Sequence, residues 1–401
     1  MKKYNTFIVF LVLVLMWSFF FGAFKFYTWA FFQKSFSFRL EEIAWSLSLW
    51  WVLAYLFWGI FSTIYEKRKI LVWVAFFVMI LLLWLYFWGF GYKLLWLGFI
   101  ASIGVMYSFW SIAKNSLIFV EVQKTWKSDT FVNWLAGIIF IISLLVWSVL
   151  WPSMFERFWI YWSLTVIIPM FIAFALSFMM KYSWKEDTLV HEDENLKWFN
   201  LFSDLFKKYI NNIKALSRTY WMILLCVWIL WSISTIIAQQ AIEYSMEKFG
   251  KTESEAAFIF LYSGVGAIIW NAISMFIKNN RWLFYRIFVY LFALFILAFP
   301  FVANSYLITI VLSLVIAIVF WAASNLLDAY YFFEIWRIWK KEHWSWVYGL
   351  VMSVIIASMM FSVTAIQPLI WRVNLFILLA SLIAVSWLLV RLNLHKLHVK
   401  W

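Results

Sequence analysis

The chain has 401 residues, of which 66% are hydrophobic, 24% aromatic and 13% charged, with a formal net charge of +13. A mean hydropathy of +0.89 excludes a water-soluble domain, because so few polar side chains could not cover this much apolar surface. A single cysteine, Cys226, excludes an intramolecular disulfide.

Apolar runs of roughly 20 residues recur along the chain, where a membrane β-barrel would show alternating segments of about ten. The fold class expected is therefore an all-α polytopic membrane protein. About twelve spans lie near residues 5–32, 42–64, 70–90, 94–120, 130–151, 156–180, 219–245, 254–277, 282–303, 305–335, 344–366 and 372–392. The opening Met1-Lys2-Lys3 and the apolar run to Phe24 have the charge order of a secretory signal. The run is too long and lacks a small-residue cleavage site, so it reads as an uncleaved first span. The fourth and tenth spans are long enough to be interrupted or extended at one end.

Loop charge sets the orientation, because basic residues are retained on the cytoplasmic side. Twenty-three lysines and arginines fall on the face that holds both termini, in loops such as Lys67-Arg68-Lys69 and the segment from Lys181 to Arg218. The opposite face carries seven: Lys34, Arg39, Lys93, Arg157, Lys248, Lys251 and Arg372. Both termini are thus expected in the cytoplasm of a bacterial cell, with the chain in its cytoplasmic (inner) membrane. Topology accounts for the net charge without any nucleic-acid partner.

One long polar insertion, residues 182–218, separates six spans (1–181) from six more (219–401). Its first part, with Lys185-Glu186-Asp187 and His191-Glu192-Asp193-Glu194, has the makeup of a solvated linker, and no spacing there fixes a metal geometry. From Leu196 onward Phe199, Phe202, Phe206, Tyr209, Ile213 and Leu216 recur at three- and four-residue steps, the pattern of an interfacial amphipathic helix. The halves echo each other. Lys114, Asn115 and Glu121 close the fourth span as Asn325, Asp328 and Glu334 close the tenth, and polar, basic loops follow spans two and eight.

Six plus six spans, a central cytoplasmic linker and a basic loop after span two resemble the major facilitator superfamily over the whole chain. In that family's loop motif, Gly59, Lys67 and Arg68 match; Thr63 stands in place of the aspartate and Glu66 in place of the second glycine. Tyr107-Ser108, Ala113-Lys114, Asn133-Trp134-Leu135 and Trp147-Ser148-Val149 are most similar to the bacterial lysophospholipid transporters, over some 45 residues. An acidic residue of that family's first span has no counterpart, since Ala23, Phe24 and Lys25 occupy the region. The resemblance implies two six-helix bundles, alternating access, and a cavity lined by spans one, four, seven and ten.

On those spans stand the candidate substrate or coupling residues: Lys25; Lys114 and Asn115; Gln239, Gln240 and Glu243; Asn325 and Asp328. Charge inside a span seldom occurs without a partner or a water-filled path. Lys114 suits a substrate phosphate or a pairing with Asp328. Lys25 and Glu243 stand near outer span ends, where reaching the interface is the alternative to a cavity role. Glutamines in spans also serve as plain interhelical hydrogen bonders. Gly59, Lys67, Arg68, Glu121 and Glu334 are the candidate gate.

The expected function is secondary transport of a lysophospholipid or similar amphiphile, with membrane lipid as surroundings and the chain acting as a monomer. The alternative is a proton-coupled importer or exporter of another small molecule, with Asp328 or Glu243 carrying the proton. A non-transporting scaffold is the third reading. No enzyme signature, metal set or cofactor motif is present. His343, His395 and His398 read as solvated.

Tryptophan usage stands apart. The chain has 32 Trp against 11 Gly, although glycine ordinarily makes up about 7% of residues. Trp147, Trp228, Trp231 and Trp321 fall inside spans, not in interfacial belts. Trp84 with Trp88, and Trp147 with Trp151, have the four-residue spacing of glycines at close helix contacts. We expect many of these positions to be glycine in the native protein, through UGA read as glycine; a tryptophan-rich lineage is the alternative.

Overall fold

A helix of about 20 residues rises about 30 Å, the hydrocarbon thickness of a bilayer, and satisfies its own backbone inside it. The computed structural model describes residues 8–24, 49–57, 67–89, 93–125, 163–179, 198–274, 281–338, 344–362 and 373–396, with scattered helical positions between 135 and 146. At some of these only the backbone is described. No strand occurs among the described residues.

The first helices are α1 (Ile8–Phe24), α2 (49–57), α3 (Lys67–Trp84) and α4 (Lys93–Thr125). A π-helical turn, Leu85–Gly89, extends α3. Another, Ser163–Ile167, leads into α5 (Ile168–Met179). There follow α6 (Trp198–Phe249), α7 (Glu253–Ser274), α8 (Arg281–Val302), α9 (Tyr306–Ile338), α10 (Trp344–Phe361) and α11 (Val373–Lys396). Among the described residues, 5 helices are long and apolar enough to cross a membrane, within α3, α4, α6, α8 and α9. Shorter apolar helices lie at Ile8–Phe24, Leu164–Met179, Tyr348–Phe361 and Phe376–Leu388. Trp73, Phe87, Leu94, Phe301 and Leu307 are large and exposed, as side chains facing acyl chains are.

The fourth and tenth spans prove to be extended: α4 and α9 are each unbroken over 33 residues. The amphipathic segment and the seventh span, expected as separate helices, are two helical stretches of α6 that meet at a kink, where the backbone leaves helical geometry at Tyr220 (φ −115, ψ 15).

The chain divides into two compact units. The first comprises Met1–Trp147, Ser153–Arg218 and Ile335–Ile356, and so includes the start of α10. Its core joins Trp17, Phe20 and Phe24 of α1, Val74, Val78 and Leu82 of α3, Trp96, Ile100 and Ile103 of α4, and Met170 of α5. Rings interlock there at Trp17–Phe20, Phe24–Phe99 and Phe76–Phe174. Two buried serine hydroxyls are satisfied within their own helices: Ser18 Oγ donates to Val14 O at 2.7 Å and Ser177 Oγ to Ala173 O at 2.7 Å. Folding the hydroxyl back on the helix removes the cost of a bare polar group in lipid.

The second unit comprises Ser148–Pro152, Thr219–Glu334 and Ala357–Trp401. Gly266 of α7 lies against α9, where an added Cβ would come within 2.9 Å of Ala317 Cβ and 3.0 Å of Leu314 O. Such backbone approach is how membrane helices gain packing without a hydrophobic driving force. Cys226 Sγ donates to Ser386 O at 3.0 Å, tying α6 to α11, and Phe299 stacks on Phe376 at 5.7 Å, joining α8 to α11. Thr252 and Glu255 form a reciprocal cap on α7: Thr252 N donates to Glu255 Oε2 at 3.0 Å and Glu255 N to Thr252 Oγ1 at 3.3 Å.

Candidate functional site

The middle of α4 carries a polar and aromatic grouping. Gly104, Tyr107, Ser108, Ser111 and Lys114 recur at three- or four-residue steps and so share one side of that helix. Gly104 receives the Trp51 indole, leaving no room for a Cβ. Tyr107 stacks on Phe21 of α1 at 4.1 Å and on Trp51 of α2 at 5.6 Å. On the neighbouring side, Trp110 stacks on Trp17 at 5.0 Å.

One turn further along α4, Ser111 Oγ lies 3.0 Å from the Tyr348 hydroxyl of α10, and either oxygen can donate. The Tyr55 hydroxyl of α2 sits beside the same serine, and the Tyr55 and Tyr348 rings meet edge to face at 6.3 Å. Ser353 Oγ of α10 shares its proton between Gly349 O of its own helix at 2.8 Å and Val52 O of α2 at 3.1 Å, and Gly349 packs against Tyr55 O so closely that a Cβ would collide. Tyr55, Ile112 and Ile356 are buried together. The start of α10 is thereby fastened to α2 and α4 by two hydrogen bonds and one glycine contact.

Lys114 is half-buried, and its Nζ lies 5.1 Å from the Trp110 ring centroid. It makes no ion pair among the described residues, so the aromatic face is its only described electrostatic partner. A cation in this position can attract an anionic group entering from a water-filled path.

In the second unit, Gln240 of α6 is buried, and its Oε1 has no hydrogen-bond partner among the described residues. Asn325 is half-buried on α9. Gln239 and Glu243 are placed on α6, Asp328 and Glu334 on α9, and Asn115 and Glu121 on α4, with their side chains outside the described residues. The same is true of Lys67 and Arg68, which open α3. Lys25 and Gly59 lie wholly outside the described residues, and the proposed pairing of Lys114 with Asp328 falls there with the Asp328 carboxylate. No cluster of metal-ligating side chains occurs among the described residues.

Sequence reasoning missed the Tyr55, Ser111 and Tyr348 grouping. Its signal was present as hydroxyl residues inside spans two, four and eleven, but nothing in a linear pattern aligns positions 237 residues apart.

No family model and no curated protein matches this sequence. Among solved structures the chain is similar to the major facilitator superfamily transporter FucP in the outward conformation, with TM-score 0.67, 12% identity, and coverage of 98% of this chain and 99% of that one. It is likewise similar to a variant of the E. coli fucose:proton symporter FucP, with TM-score 0.69, 13% identity and coverage of 98% and 99%. At these identities the likeness establishes the fold. This is an all-α polytopic chain with the major facilitator architecture.

Proposed function

We propose that the chain is a secondary transporter, not an enzyme, and that it works by alternating access about a site near the bilayer midplane. The observation that carries this reading is likeness to a transporter fold over 98% of the chain. Polar side chains set inside spans, Lys114 on α4 and Gln240 on α6, supply what a lipid-facing scaffold would not need. In this reading residues 1–181 and 219–401 are the transporting halves, 182–218 is the linker between them, and both termini are cytoplasmic. The protein acts as a monomer in a bacterial cytoplasmic membrane.

Two substrate classes are carried by different observations. Tyr107-Ser108, Ala113-Lys114 and the following span favour lysophospholipid, with Lys114 taking the phosphate and the aromatic walls taking the acyl chain. A structural neighbour described as a fucose:proton symporter favours proton-coupled movement of another small molecule, with Asp328 or Glu243 as proton carrier. In proteoliposomes the first reading gives lysophospholipid flux that is lost in Lys114→Ala. The second gives solute uptake that collapses with the proton gradient and in Asp328→Asn. Absence of flux for lysophospholipids and for a panel of sugars and drugs would overturn both.

A further inference from the structure

The part of α6 before its bend presents two unlike sides. On one, Tyr209 is 1% and Leu216 3% exposed, and the Phe206 ring lies parallel to Phe57 of α2 at 6.3 Å. On the other, the described exposed positions from 203 to 218 are Asp204, Lys207, Lys208, Asn211, Lys214, Ala215 and Arg218. Three- and four-residue steps align these in one stripe along the helix. It holds four cations and a single acid, with no large apolar side chain.

The stripe ends two residues before Tyr220, where α6 bends and the apolar span Tyr220–Phe249 begins. Arg218 and Lys214 therefore stand within about two helical turns of the hydrocarbon boundary, at headgroup depth. Lys207 and Lys208 continue the stripe about two turns further from the span, and a cluster of basic residues on an amphipathic helix beside a span is the arrangement that attracts anionic lipid. Protein partners bind through buried aromatic or aliphatic anchors, and this stripe offers none. Lysine ammonium groups instead hold phosphate as point charges, without the fixed fork that a folded partner's carboxylates would exploit.

We propose that Lys207, Lys208, Lys214 and Arg218 form a binding surface for the phosphate groups of anionic phospholipids, in the leaflet at which α6 enters the membrane. The lipid would fix the height of this helix against the bilayer.

Native mass spectrometry of the full chain in detergent, with phosphatidylglycerol or phosphatidylcholine added, tests this. Phosphatidylglycerol should be retained in preference and released as salt is raised. Its affinity should fall at least about tenfold in K207Q/K208Q/K214Q/R218Q and persist in the charge-keeping K207R/K208R/K214R/R218K. Should the quadruple variant not fold, K207Q and R218Q alone should each lower it several-fold. Equal retention of the two lipids, or unchanged binding in the glutamine variants, would overturn the proposal. So would phosphatidylglycerol binding that appears only in E192Q/D193N/E194Q, because the acidic linker would then be what occupies the stripe.

Discussion

Ser111 Oγ of α4 and the Tyr348 hydroxyl of α10 stand 3.0 Å apart among buried side chains of spans that the sequence separates by 237 positions. Ser111 is buried and Tyr348 half-buried, so each oxygen serves the other and both help define where the start of α10 sits. Interhelical hydrogen bonds of this kind contribute about 0.6 kcal/mol. Tyr348→Phe and Ser111→Ala should each lower the melting temperature in detergent, and together they should be less than additive by about that amount. Strict additivity in the double-mutant cycle would show that the hydroxyls do not act as a pair.

Gly349 gives a steric counterpart to that bond. Its Cα side meets the carbonyl of Tyr55, where even a methyl group would collide with backbone atoms. Gly349→Ala should therefore force α10 away from α2, break the Ser353 Oγ to Val52 O bond, and destabilise the protein by about 1–3 kcal/mol. Thermal unfolding of the purified variant measures it. If alternating access parts these helices in one state, the same variant should also shift the accessibility of a cysteine placed at Ser353, read by thiol labelling.

Lys114 separates a functional from a structural cation. A charge held in a span with an aromatic ring as its described partner is a standing cost, so Lys114→Met should leave the melting temperature equal or raise it. Flux should be lost at the same time if the ammonium group meets the substrate. Lys114→Arg keeps the charge but spreads it over a planar fork, and should retain only part of the flux. A Lys114→Met protein that transports like wild type would remove this residue from the site.

The helical, membrane-spanning character was legible because long apolar runs and loop charge are local signals. The 33 unbroken residues of α4 and α9 follow from the same runs, since neither contains a proline. What was not legible is what depends on contact between distant helices: Tyr348 with Ser111, Gly349 with Tyr55, and Gly266 with Ala317. A serine or glycine inside a span looks alike on paper whether it bonds its own helix, as Ser18 does, or meets another, as Ser111 does. The break at Tyr220 was legible for a different reason: the change from an amphipathic to a fully apolar pattern there reads as a boundary, although no glycine or proline occupies it.

The indole nitrogens of Trp17, Trp51, Trp110, Trp231, Trp270 and Trp387 are buried, with no hydrogen-bond acceptor among the described residues. A buried tryptophan usually finds a partner for its N–H, and leaving the group bare costs about 1–3 kcal/mol. That so many stand bare in a chain with 32 Trp and 11 Gly argues that these sites were not shaped for indoles. Trp51 makes the point locally, because it fits only where Gly104 leaves space for it. With glycine at 51, α2 and α4 would meet through two small residues, as membrane helices commonly do. The hydroxyl grouping of Tyr55, Ser111 and Tyr348 contains no tryptophan, whereas glycine at 51 and 110 would take the Trp51 ring from Tyr107 and the Trp110 ring from Lys114. A peptide mass spectrum of the native protein across residues 104–151 should show glycine at 110, 134, 147 and 151. Recombinant protein with glycine at 17, 51 and 110 should then melt higher than protein with tryptophan there. Tryptophan at all four native positions would overturn the recoding, and the bare indoles would stand as a true stability cost of this chain.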